Sequence, residues 1–193
     1  MKTFQFLIVV AGILLGSTAW SGEPAYKQVH VGQTAEIKGE WNKDGVFSAV
    51  EIELLPDSRR PKLRGAIEAI DSNKNAIRVF GQWIVITTTT QFLDVTDSTV
   101  MFSMFKPQHR VEVSCKIDSA GQWTARHLRI HNVKASDKIK GTVTKVDYDG
   151  KSPDTLIIES LRVLVTDKTE VFRTLGGAAE ADSDSDSTDA KVR

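Results

Sequence analysis

Lys62-Leu-Arg-Gly65-Ala-Ile-Glu-Ala-Ile-Asp71 is echoed without a gap by Lys138-Ile-Lys-Gly141-Thr-Val-Thr-Lys-Val-Asp147. Downstream, Ile84-Val-Ile-Thr87-Thr-Thr-Thr90 is matched by Val163-Leu-Val-Thr166-Asp-Lys-Thr169, after an insertion at Tyr148 to Pro153. This unit is half A. A second unit, half B, also occurs twice. Ala35-Glu36-Ile37 through Gly45-Val-Phe47-Ser-Ala49 and Ile52 aligns with Val111-Glu112-Val113 through Gly121-Gln-Trp123-Thr-Ala125 and Leu128. The order along the chain is B, A, B, A, and internal similarity of this kind marks a repeat architecture.

Each half reads as strands. Half A alternates with period two at Ile67/Ala69, Ile77/Val79 and Ile84/Ile86, with turns at Asp71 to Asn75 and at Gly81-Gln82. Half B gives Val111/Val113/Cys115, a turn at Asp118 to Gly121, and a strand from Trp123 to His131. In that strand Trp123 and Ala125 share one parity while Leu128 and Ile130 share the other; Phe47/Ala49 and Ile52/Leu54 repeat the break. One extra residue, a β-bulge, switches parity in this way and helps short strands curl. Asp97 to Phe105, a polar start followed by an apolar run and Pro107, predicts a short helix.

The expected fold is all-β. Residues 62–132 carry three strands, a helix and two strands, the order of a five-stranded OB-like barrel. The N-terminal half B (20–61) and C-terminal half A (133–175) are the two parts of a second such barrel. Their pairing would leave no open edges. The rival arrangement is one barrel with decorated flanks.

The Gly-hydrophobic-x-x-hydrophobic-Asp strand of half A, its Val-Thr-x-x-Thr ending, and the Val-Glu-Val, Gly turn and Trp-x-Ala-x-x-Leu of half B resemble a bacterial exported family, domain of unknown function 5666. The resemblance runs from about Gln33 to Phe172. It implies an exported small barrel and no activity. Two departures stand out: Gln108-His109 replaces the usual Gly-Asp, and Cys115 replaces a glycine.

The N-terminus reads as a secretory signal, residues 1–19. Lys2 precedes an apolar stretch from Phe4 to Leu15, broken only by Gln5 and Gly12, and Ser17-Thr18-Ala19 offers small residues for cleavage. Cleavage after Ala19 is the first expectation and after Ser21 the second. The stretch is shorter than the roughly 20 residues a membrane span needs, which disfavours an uncleaved anchor. The mature chain is then periplasmic or secreted with no membrane span. Cys115 is the only cysteine, so no disulfide can form within one chain; its parity with two valines points it inward. Basic and acidic residues balance at 25 each. Residues 176–193 form an acidic Ser/Asp tail that reads as disordered, and the near-neutral remainder argues against a dedicated nucleic-acid partner.

No motif for catalysis, cofactor or phosphate binding is present, so an enzyme and a cofactor are not expected. His30, His109, His127 and His131 are the candidate ligands for a metal. On a strand, His127 and His131 would lie about 13 Å apart, too far to share one ion. Asp71 and Asp147 recur before turns, where Asp serves local hydrogen bonding, and Thr87 to Thr90 reads as ordinary strand. A binding face is the better candidate. Arg78, Phe80, Trp83 and Val85 point outward from the second and third strands of the central unit, where OB-folds take oligonucleotides or oligosaccharides. Their counterparts Ile157, Glu159, Arg162 and Leu164 are partly apolar too, which favours packing of one barrel on the other. A second candidate is a basic patch of Lys106, Arg110, Lys116, Arg126, Arg129, Lys134, Lys138 and Lys140, net +5 over that stretch. It would meet lipid headgroups, an anionic glycan, an acidic envelope protein or the chain's own tail, or else be a solvated strand face. The expected partner is therefore an unknown envelope protein or an anionic polymer. Mass spectrometry of the exported chain is expected to place its first residue at Trp20.

Overall fold

The computed structural model describes residues 24–42, 44–56, 60–149 and 153–173. The signal expected at 1–19 and the tail expected at 176–193 lie outside the described residues. The rest is mostly β: β1 Thr34–Trp41, β2 Phe47–Leu55, β3 Lys62–Ala66, β4 Ala69–Asp71, β5 Ala76–Val79, β6 Gln82–Val85, β7 Gln91–Leu93, β8 Arg110–Ile117, β9 Trp123–Ile130, β10 Asp137–Asp147, β11 Thr155–Ile158, β12 Leu161–Leu164 and β13 Glu170–Arg173. Among the described residues, no helix is long and apolar enough to cross a membrane.

The pairings form two circuits of the same plan. In the terminal circuit, β1 pairs β2, β2 pairs β12, β12 pairs β11, β11 pairs β10, and β10 returns to β1. In the central circuit, β8 pairs β3 and β9, β9 pairs β6, β6 pairs β5, and β5 pairs β4, which follows β3 in the chain. Matching strands meet at matching residues: Val163 faces Phe47 where Ile84 faces Trp123. The circuits join through antiparallel β3 and β10, with Leu63 opposite Ile139. One hydrophobic cluster runs through both, including Ile37, Phe47, Leu63, Ile84, Trp123, Leu128, Ile139 and Val163.

The register shows why the parity breaks where it does. On β8 the partner jumps from His127 to Ala125, leaving Arg126 extra on β9; on β1 it jumps from Glu51 to Ala49, leaving Val50 extra on β2. Both extra residues bend the strand and re-aim the side chains beyond. The turns repeat their chemistry as well. Asn42 Oδ1 accepts the N–H groups of Asp44 and Val46, and Asp118 Oδ1 those of Ala120 and Gln122, each ahead of a glycine at positive φ.

Two sequence expectations are corrected. The helix expected from Asp97 to Phe105 is only a 3-10 turn at Phe102–Met104. Asp94 Oδ1 accepts the N–H groups of Thr96 and Ser98, Asp97 is left-handed, and Leu93 bridges Thr99. Such side-chain capture of backbone donors competes with helix formation. Thr87 to Thr90 is a turn rather than strand. Thr90 Oγ1 accepts the Thr87 N–H at 3.0 Å and donates to Ala125 O at 2.8 Å. Thr169 Oγ1 makes the same pair of bonds, to Thr166 N–H and Ala49 O, at 3.0 Å each. Each threonine thus ties the end of half A to the bulged strand of half B, and the following residues form β7 and β13, strands the alternation did not reveal.

The 3-10 turn at Ala25–Gln28 precedes β1 as Phe102–Met104 precedes β8, so the repeat extends further toward the N-terminus than its motif. Gly32, at φ 91, donates its N–H to Val143 O, and Gln108, at φ 71, donates to Ile67 O in the same way. The second copy therefore carries a glutamine where the backbone favours glycine. A left-handed residue with a Cβ costs about 1–2 kcal/mol, partly offset by the entropy a glycine loses on folding. Gln108→Gly is expected to stabilise the protein by roughly 0.5 kcal/mol, read from the midpoint of urea unfolding.

Candidate functional site

The hairpin between β5 and β6 decides which predicted residues share a face. Phe80, first of its two turn residues, has φ 49. The left-handed conformation turns its ring away from the face that strand alternation assigned to it. The ring lies over Gly65, where an added Cβ would sit 2.5 Å from two ring carbons. Beyond Gly65 it meets Phe47 edge-on at 5.3 Å and Trp41 at 5.4 Å, both from the terminal circuit. Phe80 is 2% exposed. Its assignment to an outward binding face is therefore corrected: it is the wedge between the two circuits.

Its counterpart Glu159, at φ 56, folds back over Gly141 and accepts the Thr142 N–H at 2.7 Å. Beside it, Trp123 Nε1 donates to Ser160 Oγ at 3.2 Å, and Ser160 Oγ donates to Gln82 Oε1 at 3.3 Å. Hairpin turns, not the outer faces of β5, β6, β11 and β12, fill the seam beside the β3–β10 ladder.

The other three residues of the predicted face lie on the outside, off that seam. Arg78 and Trp83 are cross-strand partners. The Arg78 guanidinium stands 5.5 Å from the Trp83 ring centroid and ion-pairs with Glu68 at 2.9 Å. Trp83 is 38% exposed. It lines an open groove of about 550 Å³ with Lys74, Ala76, Gln82, Val85, Gln122 and Trp123. An indole face, two amides and an ammonium group form a surface that can stack a flat ring and hydrogen-bond its edges. Lys74, Gln82 and Gln122 carry no motif in the sequence; Gln82 precedes Trp83 on β6, and the turn after β4 and the turn before β9 bring Lys74 and Gln122 to it.

The basic patch does not assemble as one surface. Lys138 is ion-paired with Glu36, Arg110 with Asp137, and Arg129 with Asp97. Lys140 is buried on β10 beside the seam. Lys106, Lys116 and Lys134 are exposed and Arg126 is half-buried; they lie on two connecting segments, the end of β8 and the bulge of β9. A linear count of charge does not show which cations Glu36 on β1, Asp97 in its turn and Asp137 at the start of β10 neutralise.

Among the described residues, no three His, Cys, Asp or Glu side chains stand close enough to hold a metal ion. Cys115 is buried beside Val113, and burial pushes its thiol pKa well up. Asp71 Oδ1 accepts the N–H groups of Asn73 and Lys74 at 3.0 and 3.1 Å, a turn-forming role.

Removing the wedge and removing the exposed indole should have opposite weight. Phe80→Ala is expected to destabilise the protein by about 3 kcal/mol or more, as for other buried aromatic truncations. Trp83→Ala is expected to cost about 1 kcal/mol or less, the order of an exposed cation–π contact. Thermal unfolding of the two variants checks both.

Comparison with known proteins matches residues 8–53 and 64–129, more than half of the chain, to the family described as domain of unknown function (DUF5666). The second segment begins in β3 and ends in β9, the span of the central circuit. No curated protein and no solved structure matches the chain. With its two-segment match and its repeated half A and half B, the chain belongs to the DUF5666 family.

Proposed function

We propose that the chain is an exported, non-catalytic binding module made of two small OB-like barrels, and that the Trp83 groove takes an anionic glycan. The circuits of pairing support the barrel reading: each has the same strand order and returns to its start. In the OB-like plan β5 and β6 are the second and third strands, the face by which such folds take oligosaccharides and oligonucleotides.

One observation carries the choice of site. Trp83 presents its ring to solvent while the neighbouring aromatics Phe80 and Trp123 are used for packing. Gln82, Gln122 and Lys74 around it suit the hydroxyl and carboxylate edges of a uronic or sulfated sugar. A nucleic-acid strand is the weaker reading, because the groove offers a single exposed aromatic where base-stacking surfaces use several.

The test is a titration of the protein with acidic oligosaccharides and with single-stranded DNA, followed by tryptophan fluorescence. Saturable quenching by the oligosaccharide that weakens with salt, and a loss of roughly tenfold or more in affinity in Trp83→Ala, is the expected result. Undiminished binding by Trp83→Ala, or no saturation with either polymer, would overturn the assignment of the groove.

A further inference from the structure

A second cleft, sharing no residue with the Trp83 groove, lies where the segment entering β8 runs beside the end of β9. Its volume is about 680 Å³, and Val95, Gln108, His109, Arg110, Arg129, Ile130, His131, Asn132 and Val133 line it. The lining divides by chemistry. Arg110, Arg129, His131 and Asn132 offer nitrogen donors, and no carboxylate lines the cleft. Val95 and Val133 are strongly exposed and, with Ile130, form an apolar margin. Exposed valines beside a donor cluster are what an amphipathic ligand requires.

The charge balance narrows the class. Arg110 already shares its charge with Asp137, and Arg129 with Asp97, from outside the cleft. Donor directions remain, with little net charge. His109 Nδ1 is buried without a hydrogen-bond partner among the described residues, the condition in which a bound polar group is expected. We propose that this cleft binds a small amphipathic monoanion, a carboxylate with an apolar chain, its head on Arg129 and His131 and its chain on Val95, Ile130 and Val133.

His131 makes the binding pH-dependent. Burial lowers its pKa, and so do the guanidinium groups of Arg64 on β3, Arg110 on β8 and Arg129 on β9, against the opposing pull of Glu112 on β8. The imidazolium is therefore disfavoured there relative to a free histidine. A carboxylate placed beside it favours the imidazolium, so binding takes up a proton and the affinity rises as pH falls.

The probe is octanoate added to the full chain, with octan-1-ol as the uncharged control, and the histidine ring signals followed by NMR. Octanoate should saturate, shift His131, raise its titration midpoint, and bind tighter at about pH 6 than at about pH 8, where the carboxylate itself stays ionised. Octanol should bind at least roughly tenfold more weakly, the loss of a charge-assisted contact. Val133 is exposed, so Val133→Glu leaves the fold intact and should weaken octanoate by placing a second negative charge at the margin. Equal binding of octanol, a stationary His131, or unaltered affinity in Val133→Glu would each overturn the proposal. None of these readouts depends on Trp83.

Discussion

The ladder between β3 and β10 is the constraint on which the rest of the molecule hangs. Leu63 and Ile139 occupy the same position in their repeats and face each other, so the joint is self-complementary. Lys62 lies opposite Lys140 and Arg64 opposite Lys138. Like charges directly opposed across a ladder repel, and the flanking strands answer this. Glu112 on β8 stands 3.3 Å from Lys62 and 3.2 Å from Arg64, and Glu36 on β1 pairs with Lys138. Burial alone would raise the Glu112 pKa, but the coulombic pull of Lys62 and Arg64 outweighs it and the pKa is lowered. Outer strands are thus tied to the joint by charge as well as by backbone.

Closure follows from the same symmetry. Half B ends in a strand with a free edge, and half A begins with one; neither half alone can satisfy its backbone. Exchange of halves between the two ends of the chain satisfies both. The small devices serve that exchange. Thr90 and Thr169 bind the bulged strands of the opposite half, and Gly65 and Gly141 leave room for a hairpin residue to fold back. Each is a fold-keeping residue, which is why the family's motif carries so little chemistry on its face.

Differences between the copies are where binding can arise. The equivalent hairpin positions hold Phe80 and Glu159: one wedges the seam, the other caps a backbone N–H. The positions across from Arg78 and Ile157 hold Trp83 and Arg162, so only the central copy presents an indole. Gln108 occupies a left-handed site that Gly32 fills in the first copy. A duplicated scaffold needs only one copy of each fold-keeping residue per half, and leaves the outer residues free to differ.

Much of this was legible in the chain itself. Alternation named the inward residues, such as Ile77, Val79 and Ile84, because a strand's period of two needs no tertiary information. The shared parity switch named the bulged segments, because an extra residue leaves its mark on the hydrophobic pattern. The loss of the expected short helix, β7 and the fate of Phe80 were not legible. Asp94 captures its own turn, Thr90 reaches a carbonyl 35 residues away, and a single left-handed residue reverses the direction of a side chain. The basic residues were visible, but their carboxylate partners come from other strands. Sequence by itself determined the alternating strands, the repeat and most inward faces, since these depend on neighbours in the chain. Tertiary structure alone decided which strands pair, which charges are neutralised and which aromatics remain in water, since these depend on contacts between residues far apart in sequence.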